Sequence, residues 1–241
     1  IGVATISPTS AASPEDLVRH ADTAMYRAKD AGRNCIAVYD ESMHERVSHR
    51  LAVETALHRA LDRRELRLYH QPIIELASGD VVGFEALMRW QQSDGTIVSP
   101  AEFIPIAEET GTIVPIGAWA LLEALSQLRT WIDSGVCSAT ATMSVNVSPR
   151  QLADPNFPAI VSEALTRSRV SPQLLWLEVT ESVMITEPEL ALSTLRRLRS
   201  LGVRVALDDF GTGYSSLSLL QKFPLQRIKI DRAFVHGVAD N

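Results

Sequence analysis

An α/β fold built on a parallel sheet of barrel type is predicted by three observations. Five segments alternate apolar residues with polar residues in the opposite phase near their carboxyl ends, as strands do when one sheet face packs on helices. The polar positions recur at strand-plus-helix intervals: 32 residues separate Asn146 from Glu178, and 30 separate Glu178 from Asp208. Each interval crosses an amphipathic segment, and repeated units of that kind argue for a parallel sheet.

The first such strand is Val82–Trp90, with Glu85 and Arg89 in the polar phase. The nearly uncharged run Thr110–Leu122 contains Gly111, Pro115 and Gly117. It is too short to span a bilayer and reads as a loop leading into a helix over Trp119–Ile132. In Met143–Val147, Met143, Val145 and Val147 share one face while Ser144 and Asn146 take the other; in Leu175–Glu181, Glu178 holds the odd phase. The helix Pro188–Leu201 carries the stripe Leu192, Leu195, Leu198 and Leu201, turns Arg196, Arg197 and Arg199 to water, and stops at Gly202. Strand Val203–Leu207 then ends abruptly in Asp208-Asp209-Phe210-Gly211-Thr212-Gly213-Tyr214, and Ile228–Asp231 places Lys229 and Asp231 in the polar phase. Trp90, Trp119, Trp131 and Trp176 sit in core-like patterns and read as packing residues.

Two adjacent carboxylates at a strand end call for a cation; the alternative is a pair of solvated turn aspartates. If the sheet closes into a barrel, its functional groups gather at the carboxyl ends of the strands. Glu85, Asn146, Glu178, Asp208, Asp209, Lys229 and Asp231 all fall there. Oxygen ligands without histidine or thiol partners favour Mg²⁺ or Mn²⁺ over zinc. A pair of ions bridged by one carboxylate, here Asp208, suits phosphoryl chemistry. Lys229 can then hydrogen-bond the attacking water or a phosphate oxygen, and Arg89 can hold a non-bridging oxygen.

At these residues the sequence resembles the EAL-type phosphodiesterases of bacterial cyclic di-GMP signalling. The motifs are Tyr69-His70-Gln71-Pro72-Ile73, Glu85-Ala86-Leu87 followed by Met88-Arg89-Trp90, Ser144–Ser148, Glu178-Val179-Thr180-Glu181, the Asp208–Ser216 loop and Lys229–Val235. Several ordered motifs carry far more weight than a lone Glu-Ala-Leu. The resemblance implies a modified eight-stranded barrel whose first strand runs antiparallel to the rest, hydrolysing cyclic di-GMP to linear pGpG with Mg²⁺ or Mn²⁺. It implies Glu85, Asn146, Glu178 and Asp208 as metal ligands, Asp209 and Asp231 serving a second metal or its waters, and Lys229 orienting the nucleophile. Gln71, Leu87 and Arg89 would contact the dinucleotide. Tyr214 is a candidate ligand contact, with a purely structural place as the alternative. Glu181 and the 209–216 loop would couple metal binding to loop position, near the contact of a homodimer formed through this domain. The chain holds six of the eight expected strands, so the barrel is expected to be incomplete at its carboxyl end. The two absent strands would carry a further glutamate and glutamine, so hydrolysis is expected of the complete parent protein rather than of these 241 residues alone.

The amino-terminal piece, Ile1–Ala4, Ser13–Leu17, Ala21–Lys29 and Gly32-Arg33-Asn34, resembles the last strand, helix and strand of a GGDEF diguanylate cyclase domain. Its helix has Ser13 as N-cap, Pro14 in the first turn, an acidic residue three after the cap, and Gly32 as the stop. The GTP-binding signature loop would lie upstream of residue 1, so no cyclase activity is expected of this chain. The expected division is a GGDEF remnant over 1–40, a linker helix over 41–64 with Leu51, Val53, Leu57 and Leu61 at helical spacing, and the EAL domain over 65–241. The linker reads either as a connector passing register between domains or as a solvated helix. His44, His49 and His58 lack the companions of a metal site.

The 241 residues are 46% hydrophobic, enough for a buried core with an appendage, and the net charge of −6 argues against a DNA or RNA duplex as partner. Cys35 and Cys137 show no motif, which suits a reducing cytoplasm. A start at Ile1, inside an apparent domain, is expected of a piece of a longer protein, whose upstream part would hold a sensor, a cyclase or a membrane anchor. Two competing functions are a catalytically inactive EAL domain that binds cyclic di-GMP or a protein, and a lyase using Lys229 as a Schiff-base amine. The first usually loses the motif glutamate or the loop aspartates, which are present here, and the acidic surroundings of Lys229 oppose the depressed pKa that the second needs.

Overall fold

The computed structural model describes residues 1–5, 13–30, 34–183, 188–211 and 221–235, in two compact units, 1–58 and 59–241. In the first unit, β1 (Gly2–Val3) pairs in parallel with β2 (Ala37–Val38), and α1 (Pro14–Asp30) connects them. The expected cap is in place: Ser13 Oγ accepts the Asp16 N–H at 3.1 Å while Asp16 accepts the Ser13 N–H at 3.0 Å, so two otherwise orphaned donors are satisfied reciprocally. The stop at Gly32 lies outside the described residues. Helix α2 covers Glu41–Leu57, shorter than the expected linker helix. Leu61 lies beyond it, in a run of turns ending at Arg64, whose φ is 54°.

The second unit is a sheet ordered β3 (Leu66–Ile74), β4 (Val81–Gln91), β6 (Thr142–Asn146), β7 (Leu175–Thr180), β8 (Arg204–Phe210), β9 (Arg227–Ile230), with the short β5 (Ile97–Val98) beside β4. β3 and β5 run antiparallel to β4, and the pairs β4–β6, β6–β7, β7–β8 and β8–β9 are parallel. This is the expected open arc of six staves with an antiparallel first strand; among the described residues β3 and β9 do not meet. Helices α3 (Pro100–Thr110), α4 (Ile113–Asp133), α5 (Pro149–Leu152), α6 (Phe157–Ser168) and α7 (Pro188–Ser200) lie between strands in the chain, and α8 (Arg232–Val235) follows β9.

The alternation read from sequence sorts the two faces. Met143, Val145, Leu175, Leu177, Val179, Val205 and Leu207 join Leu121, Leu125 and Leu128 of α4 and Leu195 and Leu198 of α7 in one buried core. The opposite phase, with Glu85, Asn146, Glu178 and Asp208, faces the interior of the arc. Gly202, at φ 92°, ends the turn after α7 in a conformation that glycine adopts without strain. One expectation fails: Thr110–Leu122 is no loop. α3 runs to Thr110, and α4 starts at Ile113, with Pro115 in its first turn, where a missing N–H costs nothing. No described helix is long and apolar enough to cross a membrane.

Candidate metal centre

Parallel strands deliver their last polar residues to one end of the arc, so residues distant in sequence meet there. Glu85 of β4, Glu178 of β7 and Asp208 of β8 each place an oxygen within hydrogen-bonding distance of the Lys229 ammonium of β9: 3.0, 2.5 and 3.1 Å. Asn146 of β6 donates from Nδ2 to the other oxygen of Glu85 at 3.0 Å. One oxygen of each of the three acids lies within 4.8 Å of the others, a set that could hold a metal ion. The set carries formal charge −3 against +1 from Lys229, leaving −2.

Glu178 is 1% exposed. Its Oε2 faces Lys229, while Oε1 is buried without a hydrogen-bond partner among the described residues. An orphaned, buried carboxylate oxygen is costly unless something takes it, and a divalent cation would. Burial, reinforced by Glu85, pushes the Glu178 carboxyl above its ordinary pKa even though Lys229 pulls the other way. Burial alone would lower the Lys229 pKa, but hydrogen bonds and charge from Glu178 and Glu85 outweigh it and the ammonium is raised well above its usual range. That rules against a neutral Schiff-base amine at Lys229 in this arrangement.

The expected aspartate pair splits in role. Asp208 stays in the strand pattern, but the β8–β9 ladder slips between Leu207 and Phe210, and Asp209 takes φ 54°. An inserted residue of this kind bends the strand and re-aims side chains. Burial first, then Asp208 and Asp231, push the Asp209 carboxyl upward, so the three acids feel one another. Asp209 and Asp231 are nevertheless outside the tight set, and Asp231 caps α8 by accepting the Ala233 N–H at 2.7 Å. Glu181, 5% exposed, accepts the Gly211 N–H at 2.8 Å and thereby ties the end of β7 to the turn after Asp209. Gly211 has φ 105°, and a Cβ there would come within 2.5 Å of the Phe234 ring. Gly211→Ala is therefore expected to destabilise this turn by about 1–3 kcal/mol and lower the unfolding midpoint by a few degrees. An unchanged midpoint in a thermal melt would show that the turn is not held this way.

A cavity of about 310 Å³ opens beside the acids, lined by Leu87, Arg89, Asn146, Ser148, Glu178 and others, within the range of small-ligand sites. Arg89 is oriented by donating to the Met88 carbonyl at 2.7 Å and by lying 5.5 Å from the Tyr69 ring centroid. Gln71 stands opposite Glu85 in the β3–β4 register. Tyr214 lies outside the described residues. Trp176 is a packing residue as expected, but on the acid-bearing face. Arg204 and Arg227 stack on it at 5.3 and 3.9 Å. The period of two from Trp176 to Glu178 and from Arg227 to Lys229 is the sequence signal for this placement.

Comparison with known proteins places these features. The family described as EAL domain matches residues 54–241, and the family described as diguanylate cyclase, GGDEF domain, matches residues 1–35. The chain is 40% identical to the bifunctional diguanylate cyclase/cyclic di-GMP phosphodiesterase MucR of Pseudomonas aeruginosa, over 99% of this chain and 34% of that protein. It is also 40% identical to the cyclic di-GMP phosphodiesterase PdeR of Escherichia coli K12, over 99% of this chain and 35% of that protein. The chain thus spans roughly a third of the length of these curated relatives. A solved structure described as the PaMucR phosphodiesterase in complex with c-di-GMP superposes with a TM-score of 0.73 at 40% identity, covering 79% of this chain and 76% of that one.

Proposed function

The chain belongs to the EAL domain family, and on that premise we propose that the longer signalling protein of which it is a part uses this site to hydrolyse cyclic di-GMP to linear pGpG with two Mg²⁺ or Mn²⁺ ions. The observation that carries the reading is the convergence of Glu85, Glu178 and Asp208, from three strands, on one ammonium at the carboxyl end of the sheet. In this reading Glu85, Asn146, Glu178 and Asp208 hold one ion, and Asp209 and Asp231 serve a second or its waters. When bound, such ions supply Lewis-acid activation of water and offset the charge building on the phosphodiester.

The chain's own residues do the rest. Lys229 turns an N–H from the carboxylates toward the attacking water and holds it in line. Arg89, already fixed on its backbone side, presents its remaining N–H groups to a non-bridging phosphate oxygen. Leu87 and Gln71 bound the dinucleotide along the cavity, with Tyr214 as a further contact, and Glu181 couples the metal site to the 209–216 loop. The same reading takes 1–40 as a GGDEF remnant, 41–64 as a connector, and the EAL domain as the contact of a cytoplasmic homodimer. The aspartate pair and Glu85 are all present, and Asp208 converges with Glu85, which supports hydrolysis over a binding-only module.

The test is incubation of the purified complete parent protein with cyclic di-GMP and Mg²⁺ or Mn²⁺, with products resolved by chromatography. Linear pGpG is expected, and EDTA is expected to stop its formation. Tight binding with the cyclic dinucleotide recovered intact would favour the regulatory module instead.

A further inference from the structure

We propose that Arg227 is an electrostatic brake on the carboxylate site, a fixed cation held beneath it by the Trp176 indole that weakens divalent-cation binding. The inference rests on the metal-site reading above, and concerns how tightly that site binds.

Trp176 and Glu178 share a face of β7, two residues apart. Trp176 is 5% exposed and its indole N–H has no acceptor among the described residues, so the ring is positioned by packing and stacking. Arg227 lies over it with Cζ 3.9 Å from the ring centroid, a close cation–π contact. Through the ladder Glu178 pairs with Ala206, and Ala206 with Arg227, placing the guanidinium's residue on the same rung as the buried acid. Between them on that rung is only the alanine methyl. Arg204 pairs with Trp176, one pleat repeat further from the carboxylates, and its Cζ is 5.3 Å from the ring. Among the described residues Arg227 makes no ion pair that would cancel its charge. A guanidinium stays charged throughout the accessible pH range, so this positive field is permanent. It opposes the entry of cations into a set with formal charge −2.

Mn²⁺ titration of the 241-residue chain, followed by the EPR signal of free Mn²⁺, tests the idea. Arg227→Met is expected to tighten Mn²⁺ binding by about three- to tenfold, the scale of removing one charge near such a site. Arg204→Met is expected to change it less, because that charge is a rung further away, and Arg227→Lys to leave it within about twofold. Damage to the fold would move affinity the other way, so tightening is a readout that a merely structural role cannot give. Should Arg227→Met not fold, Arg227→Gln is read by the same criterion. A folded neutral variant with unchanged or weaker Mn²⁺ binding overturns the brake alone. A wild-type chain that binds no Mn²⁺ overturns the metal-site reading, and the brake with it.

Discussion

Glu178→Gln is expected to reduce hydrolysis of cyclic di-GMP by at least about a thousandfold, equivalent to roughly 4 kcal/mol of transition-state stabilisation. Glu178 is the most deeply buried acid of the set, with one oxygen on Lys229 at 2.5 Å and the other without a partner among the described residues. The amide keeps the shape but removes the charge, and it brings two N–H donors where a cation is to sit. Mn²⁺ titration and pGpG production should fail together in this variant while its circular dichroism matches the parent. Retention of either function in the folded Glu178→Gln protein would remove Glu178 from the metal site.

Lys229→Met is expected to have the second largest effect, and a different signature. In the metal-free protein it leaves Glu85, Glu178 and Asp208 facing one another without the ammonium that bridges all three. Removing one member of a largely buried charge cluster costs about 3 kcal/mol, and at about 2–4 °C per kcal/mol for a domain of this size the unfolding midpoint falls by roughly 10 °C in EDTA. Mn²⁺ is expected to restore most of that loss, since a divalent ion neutralises the same acids, while hydrolysis stays low because the water is no longer oriented. A midpoint equal to wild type in EDTA would mean that the ammonium does not hold the strands together. Full turnover with Mn²⁺ would take Lys229 out of the chemistry.

The alternation of apolar and polar residues places Met143, Val145, Leu177, Val205 and Leu207 on the core face, because a half-buried strand has only one workable phase. The same rule puts Glu85, Glu178, Asp208 and Lys229 together without knowledge of any contact. It cannot foresee the slip between Leu207 and Phe210, because strict alternation carries no signal for an inserted residue, and so it groups Asp209 with Asp208. Thr110–Leu122 misleads since Gly111 and Pro115 punctuate a helix end and a helix start as readily as a loop. Trp176 is legible as buried but not as the seat of two cations, since stacking partners on neighbouring strands follow from register, which the sequence leaves open.

The ammonium that gathers the acids lies 144 residues beyond Glu85 in the chain. Glu85 and Glu178 are made 144 and 51 residues before the ammonium that compensates them, and Asp208 only 21 before it, so the acids of the earlier strands wait longest for their counter-charge. Among the described residues β9 pairs with β8 alone, a contact of short sequence separation, but its lysine closes the far longer span back to Glu85, and contacts of that separation form slowly because loop closure precedes their reward. A divalent ion in the medium can stand in for the missing charge in the interval, making the cation an aid to maturation as well as to chemistry.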